Sequence, residues 1–283
     1  MNKKYNKSQR GRGSKSDNVI KIFTTNATGL KSKLKSLSAQ LKELNVPIFT
    51  VQETHFTSKG KINIDGYVVF ESIRTNKKNG GTAIGVSETL NPILIEEYNG
   101  DMELLVVELK VNKREIRIIS GYGPQENLSE EVRVDFYSKL DTEVERASLS
   151  GKEVIIAMDA NAKLGPKWIP KDKHKICENG KLLENIIIKH GLVVGNSHVK
   201  CQGVITRRRV TTHRTEESTI DYIIMSAELA TNVTSILIVE DQKYALTRIT
   251  KTKSGVVIKR SDHNVILTEL AIPWHSNKKN KKI

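Results

Sequence analysis

Six short runs in this 283-residue sequence put carboxylates, carboxamides, a phenol or an imidazole where apolar segments stop. Thr24-Thr25-Asn26 follows Ile20–Phe23, Gln52-Glu53-Thr54 follows Ile48–Val51, and Tyr122 comes just after Ile116–Ser120. Asp159-Ala160-Asn161 follows Val154–Met158, Asp221 interrupts an apolar run, and Ser261-Asp262-His263 precedes Val265–Leu267. These residue types handle cations and protons. Carboxylate and amide oxygens are hard donors suited to Mg²⁺, and imidazole changes charge near neutral pH. Each run also has a plainer reading. Asn26 could cap a helix, Glu53 could be a surface charge, and Asp159 and Asn161 could form a turn. His263 could be a satisfied surface imidazole. Asp221 resists this treatment, because a carboxylate between Ile220 and Tyr222 is costly to bury without a partner.

Strand-like and helix-like segments alternate around these runs. A strand over Ile20–Thr28 precedes a helix over residues 31–44, in which Leu34, Leu37, Leu41 and Leu44 keep helical spacing. Further strands are expected at 46–54, 67–72, 81–88, 103–111 and 116–123, and a long helix at 130–148. A strand at 153–161 and a helix at 180–191, closed by Gly191, come next. Strands return over 192–197, 204–209, 218–226, 234–239 and 262–270. No repeat or linker divides residues 19–273, which read as one α/β domain between a basic disordered tail (1–18) and a basic tail or linker start (274–283). Sheets packed between outer helices are the expected architecture.

The net charge is +14, and nine of those charges fall in the two ends. Such ends suit loose contact with a polyanion, although Lys-rich tails also simply keep proteins soluble. No run is long and apolar enough to span a bilayer, and the basic N-terminus has no apolar segment behind it. Cys177 and Cys201 have no metal-ligand spacing, which favours a reducing compartment, nuclear or cytoplasmic.

Read in order, TTNATGL, VQETHF, GYGPQ, AMDANA, STIDYI and SDHNV resemble the endonuclease/exonuclease/phosphatase superfamily, from about Ile20 to Leu270. Within it, NATGL before a Lys/Leu helix, the QETH run and GVITR before a basic loop are similar to the apurinic-like endonuclease domains of non-LTR retrotransposons. The resemblance implies a four-layer α/β/β/α sandwich (DNase I-like) and Mg²⁺-dependent nicking of duplex DNA, with Mn²⁺ as the other metal. It implies 3′-hydroxyl and 5′-phosphate products, a monomer with no membrane partner, and a reverse transcriptase domain in a longer polyprotein. Glu53, Asn26 and Asp262 would serve the metal. Of the catalytic set, Asp159, Asn161, His263 and Tyr122 would act on water and phosphate, with Asp221 fixing the tautomer of His263 and supporting its positive form. There are departures. The usual Gly-Asp-Phe-Asn core reads Met158-Asp159-Ala160-Asn161, and Ser218-Thr219 replaces the aromatic residue that walls an abasic-sugar pocket.

Thr206, Arg207, Arg208, Arg209 and Arg214 form a candidate DNA-binding hairpin, since Arg pairs bidentately with phosphate or guanine; a solvated loop is the plain alternative. Lys77-Lys78 is a second backbone contact or an ordinary charged turn. The alternatives kept open are an abasic-site or general repair nuclease, a phosphoinositide phosphatase or sphingomyelinase, and a catalytically dead binding module.

Overall fold

Ile155 and Ala157 pack into one apolar cluster, while Val154, Ile156 and Met158 from the same strand pack into another. Side chains alternate across a strand, so a strand buried on both faces must be apolar at nearly every position. The same division recurs at Tyr222–Met225, and at Ile22, Phe23, Ile48 and Phe49. Two sheets therefore share a central core, and each has an outer core of its own.

This computed structural model describes residues 19–74, 79–98, 103–252 and 255–274. Lys77, Lys78 and the basic segments 1–18 and 275–283 lie outside the described residues. In chain order the elements are β1 (Val19–Asn26), α1 (Leu34–Leu44), β2 (Ile48–Gln52), β3 (Tyr67–Ser72), β4 (Thr82–Ser87), β5 (Ile93–Tyr98), β6 (Glu103–Val111) and β7 (Arg114–Tyr122). There follow α2 (Glu130–Leu149), β8 (Glu153–Asp159), α3 (Glu178–Lys189), β9 (Val193–Val194), β10 (Cys201–Gln202), β11 (Arg207–Val210) and β12 (Thr215–Ser218). The chain continues through β13 (Asp221–Met225), α4 (Ala227–Ala230), β14 (Val233–Ile238), β15 (Thr247–Thr252), β16 (Gly255–Arg260) and β17 (Ile266–Pro273).

One sheet runs β10-β14-β17-β1-β2-β4-β3, and the other β5-β6-β7-β8-β13-β9. Between them lies a core of Ile, Leu and Val that includes Ile22, Ile48, Ile118 and Ile223. Leu37 and Leu41 of α1 cover the first sheet with Phe23 and Phe49. Phe136 and Leu140 of α2 and Leu183 and Ile187 of α3 cover the second. Each such buried side chain contributes about 1.5–3 kcal/mol. The fold is the expected four-layer α/β/β/α sandwich.

Several boundaries differ from the sequence expectation. Helix α1 starts at Leu34 rather than at residue 31, because residues 31–33 form turns that bring the Lys33 ammonium onto the Thr28 carbonyl (3.1 Å). Asp221 opens β13 instead of interrupting a strand. The strand expected at 192–197 shrinks to Val193–Val194. Strands β5, β15 and β16 were not expected at all. β5 is an edge strand and β15–β16 a separate ribbon, so neither carries the alternation of a half-buried strand. Both cysteines are free. The last strand pairs with the first, Val19 opposite Pro273, and the Trp274 indole N–H donates to the Val19 carbonyl (3.0 Å).

Candidate active site

Strands β1 and β2 are parallel, as are β7 and β8. Parallel neighbours end at the same edge, which collects Asn26, Tyr122 and Asp159, with Glu53 one residue past β2. Antiparallel β13 begins at that edge, and its first residue, Asp221, stands opposite Asp159. The segment Ser261–His263 enters from the other sheet, and an isolated bridge joins His263 to Arg207.

Asn26 is the hub. Its Nδ2 donates to Glu53 Oε1 and to Asp159 Oδ2, both at 2.9 Å, and its Oδ1 accepts from the Thr28 N–H at 2.8 Å. Beyond Asp159 lies the second pair: His263 Nδ1 is 3.0 Å from each oxygen of Asp221, and its Nε2 is 3.9 Å from Asp159 Oδ2. Asp159, Asp221 and His263 are all at most 3% exposed.

Glu53 and Asn161 adopt left-handed backbone, with φ of 49° and 47°. Such conformations cost non-glycine residues free energy and persist where their surroundings fix them. Here the Glu53 carbonyl accepts from Gly29 N–H (2.9 Å). The Asn161 amide donates to Asp159 Oδ1 (3.0 Å), and its side chain donates to the Gly123 carbonyl (2.8 Å).

These contacts separate the carboxyl groups by proton affinity. Burial alone would raise Glu53, but hydrogen bonds from His55, Asn26 and Tyr122 outweigh it and hold the group at about 2. Burial and the Asp221 charge push Asp159 up to about 7, against the opposing pull of His263 and Asn26. Burial would lower His263, yet the Asp221 charge and hydrogen bond bring it up to about 9. Burial and the charges of Glu53 and Asp159 keep the Tyr122 phenol protonated. Glu53 is thus held ionised, Asp159 stands poised near neutrality, and His263 is an imidazolium.

The other expected residues stand around this network. Asp262 accepts from the Thr28 hydroxyl (3.0 Å) and pairs with Arg207 (3.1 Å). Thr206 is fully buried beneath the β11–β12 hairpin, and its hydroxyl accepts from the Ile220 and Asp221 amides, both at 3.0 Å. It therefore holds Asp221 in place and does not face a ligand. Arg208 pairs with Glu217 and Arg214 with Glu216, while Arg209 is exposed. A polar groove of about 880 Å³, lined in part by Asn161, Arg207, Arg214 and Ile220, opens beside the site.

Four contributors were not singled out from the sequence. His55 Nε2 reaches Glu53 Oε2 (3.2 Å), and Thr28 reaches both Ser261 and Asp262. Ser261 donates to the Asn26 carbonyl (2.7 Å). Buried Lys33 binds the carbonyls of Ala27 and Thr28. For Thr28, His55 and Ser261 the available signal was position within the TTNATGL, QETH and SDHNV runs, whereas Lys33 lies outside them.

Residues 116–267, more than half of the chain, match the family described as endonuclease-reverse transcriptase. The chain belongs to that family. No curated protein matches it. Among solved structures it is similar to the endonuclease domain of TRAS1, a telomere-specific non-LTR retrotransposon, at 18% identity and a TM-score of 0.63, covering 89% of this chain and 99% of that one. The Xenopus laevis APE2 catalytic domain aligns at 17% identity and TM-score 0.70, covering 92% and 94% respectively. The Leishmania major AP endonuclease LMAP aligns at 16% and 0.67, covering 93% and 92%. The fold is thus that of DNase I-like proteins, and this endonuclease-reverse transcriptase family member is a nuclease of the endonuclease/exonuclease/phosphatase superfamily, whose nucleases depend on divalent metals. Asp159, Asp221 and His263 each offer a ligand atom, all within 4.8 Å of one another. Two of those three already satisfy each other, and a protonated imidazole donates hydrogen bonds and binds no metal. Glu53 is the better-placed cation ligand, being ionised and part-exposed. Among the described residues no helix is long and apolar enough to cross a membrane.

Proposed function

We propose that this nuclease nicks duplex DNA with Mg²⁺, leaving a 3′-hydroxyl and a 5′-phosphate. The observation that carries the reading is the Asn26 carboxamide bridging Glu53 and Asp159. It sets a permanently charged oxygen ligand beside a carboxyl able to take a proton near pH 7.

Glu53, with the Asn26 amide beside it and Asp262 nearby, would hold the cation. Their hard oxygen donors fit Mg²⁺, or Mn²⁺ in its place. When bound, the metal supplies charge relief on the non-bridging phosphate oxygens. Asp159 accepts the proton of a water aligned with the scissile phosphorus, and a group titrating near the working pH suits that task. The water oxygen bonds to phosphorus as the bond to the 3′-oxygen breaks, and the departing oxygen takes a proton from solvent water to become the 3′-hydroxyl. Asn161 has a free amide N–H for a phosphate oxygen, since its other one is fixed on Gly123. The His263 imidazolium, held by Asp221, faces the same phosphate, and the Tyr122 phenol donates to it.

Duplex contact falls to the β11–β12 hairpin. Its Arg–Glu pairs are exposed, and exposed pairs contribute little, so phosphates compete for these cations. An abasic-site specialist would need a wall for the sugar, but Ser218 carries none and the buried Thr219 hydroxyl is taken by the Val204 carbonyl (2.7 Å). The TRAS1 likeness and the family's reverse-transcriptase association support target-site nicking, in which the 3′-hydroxyl serves as a primer.

The test is nicking of supercoiled plasmid in Mg²⁺ by purified Asp159→Ala and His263→Ala. Both should lose activity with unchanged circular dichroism. Undiminished nicking by either one overturns the assignment.

A further inference from the structure

Lys243, Arg248, Lys251, Lys253, Lys259 and Arg260 fall between Asp241 and Asp262, and no Asp or Glu lies in that interval. Its described part folds as the β15–β16 ribbon, paired from Thr247↔Arg260 to Thr252↔Gly255 and separate from both large sheets. The ribbon is rooted at the active site. Ser261 N–H closes its base on the Leu246 carbonyl (3.0 Å), and Asp262 and His263 follow directly. At roughly 3.3 Å per residue, six-residue strands project about 20 Å.

Its surface is unusual for a ribbon with no partner. Ile249 is 66% exposed, Ile258 54% and Val256 62%. Arg248 stands directly opposite Lys259, and like charges in that position destabilise a strand pair. Arg248 Nε donates to Thr250 Oγ1 (3.1 Å), but among the described residues none of Arg248, Lys251, Lys259 and Arg260 forms an ion pair. The β11–β12 hairpin differs, since Arg207, Arg208 and Arg214 are each answered by a carboxylate.

We propose that strands β15 and β16 form a second DNA arm, lying in a groove of the duplex beside the scissile phosphate. Arg248, Lys251, Lys259 and Arg260 contact the phosphates. The proposal rests on the reading that duplex DNA is the substrate. A major groove about 12 Å wide admits a two-stranded ribbon, which explains exposure on both faces. Phosphates on either wall neutralise the opposed Arg248 and Lys259, and the Ile249–Ile258 pair lies against sugars and base edges. Phosphate contacts position the duplex without choosing its sequence.

The test compares wild type with Arg248→Gln/Lys251→Gln/Lys259→Gln/Arg260→Gln, measuring anisotropy of a labelled mixed-sequence duplex in EDTA across a salt series. Each lost phosphate contact removes about 0.9 from the slope of log affinity against log salt, so the slope should flatten by roughly 3–4, with affinity falling at least tenfold. Plasmid nicking should show a raised KM with kcat retained, and the thermal melt should be unchanged or higher. Ile249→Ser/Ile258→Ser should weaken binding without altering the slope. Unchanged affinity and slope in the fourfold variant overturn the arm. So does a variant that loses binding only to phosphatidylserine vesicles, which would assign the ribbon to a membrane. If wild type binds the duplex with the expected slope but never nicks, the activity reading fails and the arm stands. If wild type nicks and the variant binds identically, the arm fails and the activity stands.

Discussion

Asp159 and Asp221 stand directly opposite each other across β8 and β13, two buried carboxylates with the His263 imidazole as their shared cation. The sharing is unequal. His263 lies 3.0 Å from Asp221 but 3.9 Å from Asp159. Asp159, the farther of the two from that cation, is the group whose proton affinity rises. Burial, with the Asp221 charge beside it, brings Asp159 up to about 7, since one cation cannot fully answer two buried anions.

Asp221→Asn removes the charge that holds the His263 proton. An NMR titration of the His263 ring should show a midpoint near 9 in wild type and a much lower one in the variant, with nicking reduced by about 10²-fold or more. The raised pKa fixes the sign for stability. The pair's contribution is complete below the ordinary histidine value of 6.5 and is lost as pH rises through about 9. A midpoint unmoved by Asp221→Asn would break this account.

Glu53→Gln keeps the shape of the side chain and removes the charge offered to a cation. Mg²⁺ at about 100 times its Kd should stabilise wild type by about 2.7 kcal/mol. The thermal shift should largely vanish in the variant, and EDTA should silence wild-type nicking. An equal Mg²⁺-induced shift in both proteins would move the metal off Glu53.

Thr206→Val preserves volume while orphaning the amides of Ile220 and Asp221. Leaving buried donors unpaired costs about 1–3 kcal/mol. A lowered melting temperature should therefore accompany slower nicking, with DNA affinity unchanged. Weakened duplex binding without a stability loss would instead place Thr206 against the substrate.

Asn26→Ala takes away the donor between Glu53 and Asp159. Partners of this kind are worth about 10–100-fold in metal affinity or activity. The pH–rate profile should also shift, since Asp159 loses a hydrogen bond that favours its charged form. An unshifted profile would mean that Asn26 does not govern Asp159.

Much of this was legible in the chain. Alternating burial on two faces made β1, β2, β8 and β13 nearly continuous apolar runs, and their polar ends marked the site. Which polar end meets which was not legible. Asn26 lies 133 positions from Asp159, and only the sheet register brings the carboxamide between two carboxylates. Thr206 read as part of a basic loop because its burial depends on β13 passing beneath it. The β15–β16 ribbon was missed because, with both faces in solvent, it has no apolar period to find.

The pairing of Val19 with Pro273 has a topological consequence. Entry to and exit from the sandwich occur side by side on neighbouring strands. The domain can therefore sit in a longer polypeptide as a side-loop, leaving the flanking segments adjacent. A circular permutant that joins these two points by a short linker and opens an exposed turn elsewhere should retain both fold and nicking.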